Sequence, residues 1–270
     1  MKLIAQTVNI YPGDGKDPYA RTGQLSFYHL KQAGASGVLL GHSELDETPS
    51  QVNQKLKAAA VMKMPDNIVL LGEQWEDLQK PWQELDEQGQ QKVISVVKKE
   101  LNEIIQDITP AIVSQVVFSY EPGWGVRGSG KADVVPPQPV QIQTMAKAMR
   151  ETLKEKYGED IAQNLRIIYG GSMSPERAGE IAPLDDVDGF ILGSAGKTTD
   201  WAKKIAQALT EEKKPRKPVL ALNWKAYELQ EPYQAFIDIL RQYEPDLDIY
   251  LAPSATDLAL IKPMLYHTSL

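Results

Sequence analysis

Three short stretches of this 270-residue chain hold residue types that do acid–base and anion chemistry. "FSYEPGWGVRGSGK" (118–131) closes an apolar run on Glu121, stiffens the exit with Pro122 and continues into a glycine-rich loop. "LLGHSE" (39–44) sets His42 between an apolar run and a helix start. "PVLALNWKAY" (218–227) breaks from an apolar run at Asn223 and Lys225. Two more turns, "IIYGGS" (167–172) and "ILGSAG" (191–196), lead from apolar runs into helices, so their backbone N–H groups suit a phosphate. Singly, each has a plainer reading: a solvated carboxylate, a structural histidine, a surface lysine, tight turns rich in glycine. Placed together they would supply a base, an imidazole, an ammonium and anion cradles.

The elements that must position them are eight apolar runs. They are "KLIAQTV" (2–8), "GVLLGH" (37–42), "NIVLLGE" (67–73), "QVVFSYE" (115–121), "LRIIYGG" (165–171), "DGFILGS" (188–194), "PVLALN" (218–223) and "DIYLAP" (248–253). Their β-branched and leucine-rich character suits strands buried on both faces of a parallel sheet. Helical spacing fills the gaps. In 48–63, Val52, Leu56 and Ala59 recur on one face behind a cap at Thr48 or Ser50. In 138–158, Ile142, Met145, Met149 and Leu153 do the same before Gly158, and 74–107 is long enough for two helices. Eight alternating βα units predict an α/β chain closed into a single (βα)8 barrel domain, with a doubly wound open sheet as the alternative. His42, Glu73, Glu121, Gly170–Ser172, Gly193–Ser194 and Asn223–Lys225 all stand at strand ends. In a barrel those ends converge on one face, where active sites are built.

Composition narrows the classes. A net charge of −7, with no basic stripe interleaved with aromatics, argues against nucleic acid. The lack of cysteine removes disulfides, thiolate metal sites and thiol nucleophiles. The opening "MKLIAQTVNIYPG" lacks a signal-peptide core, and no apolar run approaches the ~20 residues of a membrane span. A soluble cytoplasmic protein is the expectation.

Together "NWK", "LGHSE", "YEPGW" with its glycine-rich loop, "YGGS" and "ILGSA" resemble triosephosphate isomerase at five strand ends. The resemblance spans nearly the whole chain, through "IAQTV" (4–8), "TGQLS" (22–26), "VLLGE" (69–73) and "LAPSATDL" (251–258). The order is rotated. The family's "NWK" strand comes first, whereas this chain begins at the family's third strand. The resemblance therefore implies a circularly permuted TIM barrel, with the basic, proline-flanked "EEKKPRKP" (211–218) joining the family's usual ends.

It further implies a glycolytic and gluconeogenic isomerase that works without metal or organic cofactor on a small phosphorylated triose. Glu121 would be the base, His42 the neutral electrophile, Lys225 the cation, Asn223 an orienting group and Glu44 an active-site carboxylate. Gly128, Ser172, Gly193 and Ser194 would bind the phosphate, and 123–131 would close as a lid. A homodimer is implied too, but this sequence departs from the pattern around the subunit contact. Gln24 stands where the family has a glutamate, Leu45 where it has an arginine, and loop 9–22 is longer. The lid is one residue longer at Arg127, Ser194 replaces a second glycine, and "NWKAY" replaces "NWKMN". The alternatives are an isomerase of another small phosphosugar, favoured if these changes reshape the pocket, and a non-catalytic barrel that binds phosphorylated metabolites.

Overall fold

The computed structural model describes residues 1–11, 22–74, 77, 81–125 and 135–266. Eight parallel strands close on themselves: β1 (Lys2–Ala5), β2 (Gly37–Leu40), β3 (Asn67–Leu71), β4 (Val116–Tyr120), β5 (Arg166–Tyr169), β6 (Gly189–Leu192), β7 (Val219–Asn223) and β8 (Asp248–Ala252). Spatial order is chain order. β7 pairs with β6 at Leu192↔Leu222 and with β8 at Asn223↔Ala252, and β8 closes on β1 at Leu3↔Leu251. This is the TIM barrel that the sequence predicts, and the open sheet is excluded.

The period-2 alternation of a strand sorts side chains into two cores. Ile4, Ile68, Leu70, Val117, Ile168 and Ala221 belong to the cluster that fills the barrel interior. Leu3, Val69, Leu71, Phe118, Tyr120 and Leu222 point the other way, into the layer of helices. Each helix contributes an apolar stripe to that layer. α1 (Phe27–Ala33) buries Phe27 and Leu30. α2 (Pro49–Val61) starts at a reciprocal cap between Thr48 and Gln51 and buries Val52, Leu56 and Ala59. α3 (Glu87–Ile104) buries Val93, Val97 and Leu101, and a single turn, α4 (Pro110–Val113), leads into β4. α5 (Pro139–Tyr157) buries Ile142, Met145, Met149 and Leu153 and ends where Gly158 adopts a φ of +85°. α6 (Glu159–Asn164), α7 (Pro175–Ile181), α8 (Thr199–Glu211), α9 (Tyr233–Arg241) and α10 (Leu258–Met264) complete the ring.

Of stretch 74–107, residues 75–76 and 78–80 lie outside the described residues. Its described part holds one long helix, α3, preceded by a 3-10 turn at Trp82–Glu84. Asp86 caps α3, its side chain accepting from Gly89 N–H at 2.8 Å. The strands are also shorter than the apolar runs, because their last residues turn out of the ladder to line the mouth. Among the described residues no helix is long and apolar enough to cross a membrane.

Segment 211–218 passes beneath the barrel at the amino ends of the strands. Arg216 Nε donates to Asp188 at 2.6 Å, and Lys214 donates to the carbonyls of Leu184 and Val187. Its basic residues thus tie the passage from α8 to β7 onto the loop before β6.

Candidate active site

Strand β4 delivers Glu121 by simple parity. Val117 and Ser119 face the interior, so Glu121, two residues further on, points into the mouth. The carboxylate is 4% exposed, and its Oε1 accepts from Ser43 N–H at 3.0 Å and Ser43 Oγ–H at 2.8 Å. Those two bonds satisfy a buried charge while leaving the group at the edge of the cavity.

His42 follows β2 through Gly41, whose φ of +79° and close approach to Leu70 O leave no room for a side chain. The imidazole caps the 3-10 turn Ser43–Leu45: its Nδ1 accepts from Glu44 N–H at 3.1 Å. An Nδ1 that accepts carries no proton, so in the neutral ring the proton sits on Nε2. Nδ1 is also 3.7 Å from Glu121 Oε1, which places imidazole and carboxylate side by side.

Asn223 ends β7, and Lys225 follows it in phase with the interior residues Val219 and Ala221. Lys225 N–H donates to Asn223 Oδ1 at 3.2 Å, and Lys225 Nζ donates to Glu44 at 2.5 Å. Asn223 is buried, whereas the Glu44 side chain is half exposed. After β5, Ser172 Oγ donates to Gly125 O at 3.0 Å, so the turn there grips the base of the glycine-rich loop.

These groups meet in one small cavity that opens to solvent. Its lining takes in Glu121, His42, Asn223 and Lys225 together with the turns Gly170–Met173 and Gly193–Ala195. Of the predicted residues, Ser172, Gly193 and Ser194 therefore share the cavity with the ionisable cluster, and Gly193 lies against the end of the Lys225 side chain. Glu44 is not part of the lining; its side chain meets Lys225 and its backbone N–H meets His42. Gly128, Arg127 and the rest of 126–134 lie outside the described residues, as do 12–21 of the long loop.

Glu73 corrects an expectation. The sequence groups it with the mouth, but it is fully buried behind β4, where Oε1 accepts from Tyr120 OH at 2.9 Å and Trp124 Nε1 at 3.1 Å. Burial pushes its carboxyl up to about 7, against those two donors. It anchors Trp124 at the start of the glycine-rich loop. Sequence reasoning also missed three residues inside stretches it had quoted: Ser43 of "LGHSE", Gln6 of "IAQTV" and Tyr227 of "NWKAY". Tyr227 lines the cavity beside Lys225, with the Lys197 ammonium 5.0 Å from its ring centre.

A closed parallel barrel that gathers a carboxylate, an imidazole and an ammonium at the carboxyl ends of its strands has the build of a (βα)8-barrel enzyme. Comparison narrows that class. A family model described as triosephosphate isomerase matches residues 1–209. The triosephosphate isomerase of Fusobacterium nucleatum is 34% identical over 212 residues, 77% of this chain and 76% of its own length. That of Chloroherpeton thalassium is 35% identical over 213 residues, 77% and 76%, and that of Alkaliphilus oremlandii 34% over 199, 72% of each. This chain belongs to the triosephosphate isomerase family, enzymes that interconvert triose phosphates. The family match takes in β1 to β6 and stops within α8, so β7 and β8, with Asn223 and Lys225, lie beyond it.

Proposed function

We propose that the chain interconverts glyceraldehyde 3-phosphate and dihydroxyacetone phosphate through an enediolate, with Glu121 as base. Glu121 takes a proton from the carbon beside the carbonyl, the C–H electron pair becomes the new C=C bond, and the carbonyl π pair moves onto the oxygen. The same proton returns to the neighbouring carbon. The neutral imidazole of His42 donates from Nε2 to the carbonyl oxygen and shuttles protons between the two oxygens; this Glu–His pairing of roles is the one the family is known for. Lys225 offsets the developing charge, Asn223 orients the oxyanion region, and Glu44 holds Lys225. Backbone N–H groups at Ser172, Gly193 and Ser194 bind the phosphate. The family resemblance adds Gly128 and a lid over 123–131, of which 126–131 lie outside the described residues.

The observation that carries this reading is the single cavity that joins Glu121 and His42 to Asn223 and Lys225. Those two pairs come from strands on either side of the end of the family match. We read residues 219–266 as the family's first two βα units, moved to the end of the chain by circular permutation and joined through 211–218. The pairing of β7 with β6, and of β8 with β1, supports that reading. It makes residues 1–270 one domain.

We further read the chain as a homodimer. Leu25, Tyr28 and Leu45 are exposed on segments that follow the adjacent strands β1 and β2, where the family makes its subunit contact. Size-exclusion chromatography with light scattering tests this, and a monomer mass refutes it. The reaction itself is tested by coupled turnover of glyceraldehyde 3-phosphate, with Glu121→Gln alongside. Turnover that the substitution abolishes supports the assignment. Phosphate binding with no turnover in the unaltered protein would favour a binding barrel instead.

A further inference from the structure

Lys197 ends the 3-10 turn Ser194–Lys197, which runs on directly from Gly193 after β6. Acidic residues outnumber basic ones in this chain by 36 to 29, yet no carboxylate pairs with the Lys197 ammonium among the described residues. Two acids of the neighbouring segments are already engaged: Glu231 accepts from Thr199 Oγ1 at 3.1 Å, and Glu44 accepts from Lys225. Lys197 Nζ stands instead 5.0 Å from the ring centre of Tyr227. That ring lines the cavity with Lys225 and Gly193–Ala195, and its hydroxyl has no hydrogen-bond partner among the described residues. The turns that carry the pair are tied together. Trp224 Nε1 donates to Gly196 O at 3.0 Å, Gln230 N–H to Lys197 O at 3.3 Å, and Tyr227 N–H to Trp224 O at 3.0 Å. Tyr227 is also the residue of "NWKAY" that stands where the family's "NWKMN" has its second asparagine.

We propose that Tyr227 is a further phosphate-binding residue of this mouth: its hydroxyl donates to the phosphate group that settles on the turn Gly193–Ala195, and Lys197 holds the ring in place from behind. A phenol with a free O–H is a donor, and an ammonium over its face is attracted to the ring while leaving that O–H available. Lys197 is not part of the lining, so it is a positioning residue, acting through the ring and through its charge. With Lys225 in the lining and Lys197 behind Tyr227, a dianion meets two ammonium groups in a protein whose net charge is −7. This inference rests on the proposed reading of Gly193–Ser194 as part of the phosphate site.

Tyr227→Phe keeps the ring under the ammonium and removes a hydroxyl that no described residue holds, so the fold should be untouched. The dissociation constant of inorganic phosphate, measured calorimetrically, is expected to rise about fivefold, and substrate KM with it, while kcat changes about twofold or less. Lys197→Met keeps the length and removes the charge. It should raise the phosphate constant about threefold at low salt and by less at high salt, because the charge it loses is open to screening. Lys197→Arg restores a cation over the ring and should restore affinity. A merely structural pair would behave otherwise: Lys197→Met would lower the urea midpoint and leave phosphate affinity in place. An unchanged phosphate constant in Tyr227→Phe overturns the proposal, and so does an unaltered protein that binds no phosphate. Absence of turnover beside a weakened phosphate constant in Tyr227→Phe would sink the isomerase reading alone. Turnover with KM unchanged in Tyr227→Phe would sink this inference and leave that reading standing.

Discussion

At the amino ends of the strands Asp188 lies fully buried between Arg216 Nε at 2.6 Å and Arg150 Nη2 at 2.9 Å, and accepts Ile167 N–H at 2.9 Å as well. Arg150 spends its other donors on Asp186 and on the carbonyls of Ala162 and Leu165. At the carboxyl ends Glu121 is about as inaccessible, yet its described bonds all come from Ser43, and it faces a cavity that His42 and Lys225 also line. Burial alone does not separate the two sites; saturation does. A charge whose every face meets a protein donor is locked, whereas one held from a single side can still meet a substrate. The two ends also divide the labour of a barrel, the bottom serving stability and the top chemistry.

Substitutions at the two carboxylates should therefore fail in opposite ways. Glu121→Gln is expected to lower kcat by ~10²–10⁴-fold, the usual worth of a positioned general base, with the unfolding midpoint nearly unchanged. Steady-state kinetics beside urea unfolding checks both halves. Asp188→Ala takes the carboxylate from the buried Arg216 and one of two from Arg150, and should cost about 3–5 kcal/mol of stability, while the protein that remains folded keeps its KM. A large change in KM for Asp188→Ala would erase the contrast between the two ends.

Strand parity explains what the sequence revealed about these sites and what it concealed. Counting in twos from the interior residues Val117, Val219 and Ile191 brings Glu121, Asn223, Lys225 and Gly193 to the inside, which is why strand-end motifs found most of the mouth. The same count from Ile68 and Leu70 sends Glu73 outward, so its burial beside Tyr120 and Trp124 was legible once phase was used as well as position. Other features were not legible. Nothing in "NWKAY" marks a lysine at a φ of +48°, because non-glycine residues seldom sit there and the hydrogen bond to its carbonyl comes from Gln6, 219 positions away. Nor does "EEKKPRKP" show that Arg216 is buried against Asp188; a run of basic residues usually reads as a solvated turn.

Glu73 sharpens the comparison, being buried like Asp188 but supported by neutral donors only among the described residues. Its carboxyl is pushed up to about 7, above the ~4.3 of an unfolded glutamate. Below that lower value both states hold the proton and the group is neutral in its effect. As pH rises towards 7 the unfolded chain releases its proton while the folded one keeps it, so stability falls through that window and levels off above it. Glu100, also raised by burial to about 7, adds a slope of the same sign. Glu73→Gln keeps the acceptor for Tyr120 and Trp124 and removes the ionisation. The variant should gain on the unaltered protein by about 1–3 kcal/mol at pH 8, and by less at pH 5, in urea titrations at both values. A gap independent of pH would mean that Glu73 ionises normally.

The smallest effect is expected at Ser43, and it tests how firmly the base is held from its one side. Ser43→Ala removes the 2.8 Å bond from Oγ but leaves the 3.0 Å bond from the backbone N–H, so the carboxylate keeps a donor and its place at the mouth. A hydrogen bond to a charged group is worth roughly 1.5–3 kcal/mol, but here the second donor and water from the cavity replace much of it. Moreover, Glu121 must give up these bonds to reach a substrate carbon, so weakening them destabilises the resting state and not the transition state. The change in kcat/KM should accordingly be about threefold or less, read by steady-state kinetics. A fall of a hundredfold would mean that the serine hydroxyl stays with the base during proton transfer, and that the mouth is held as tightly as the bottom.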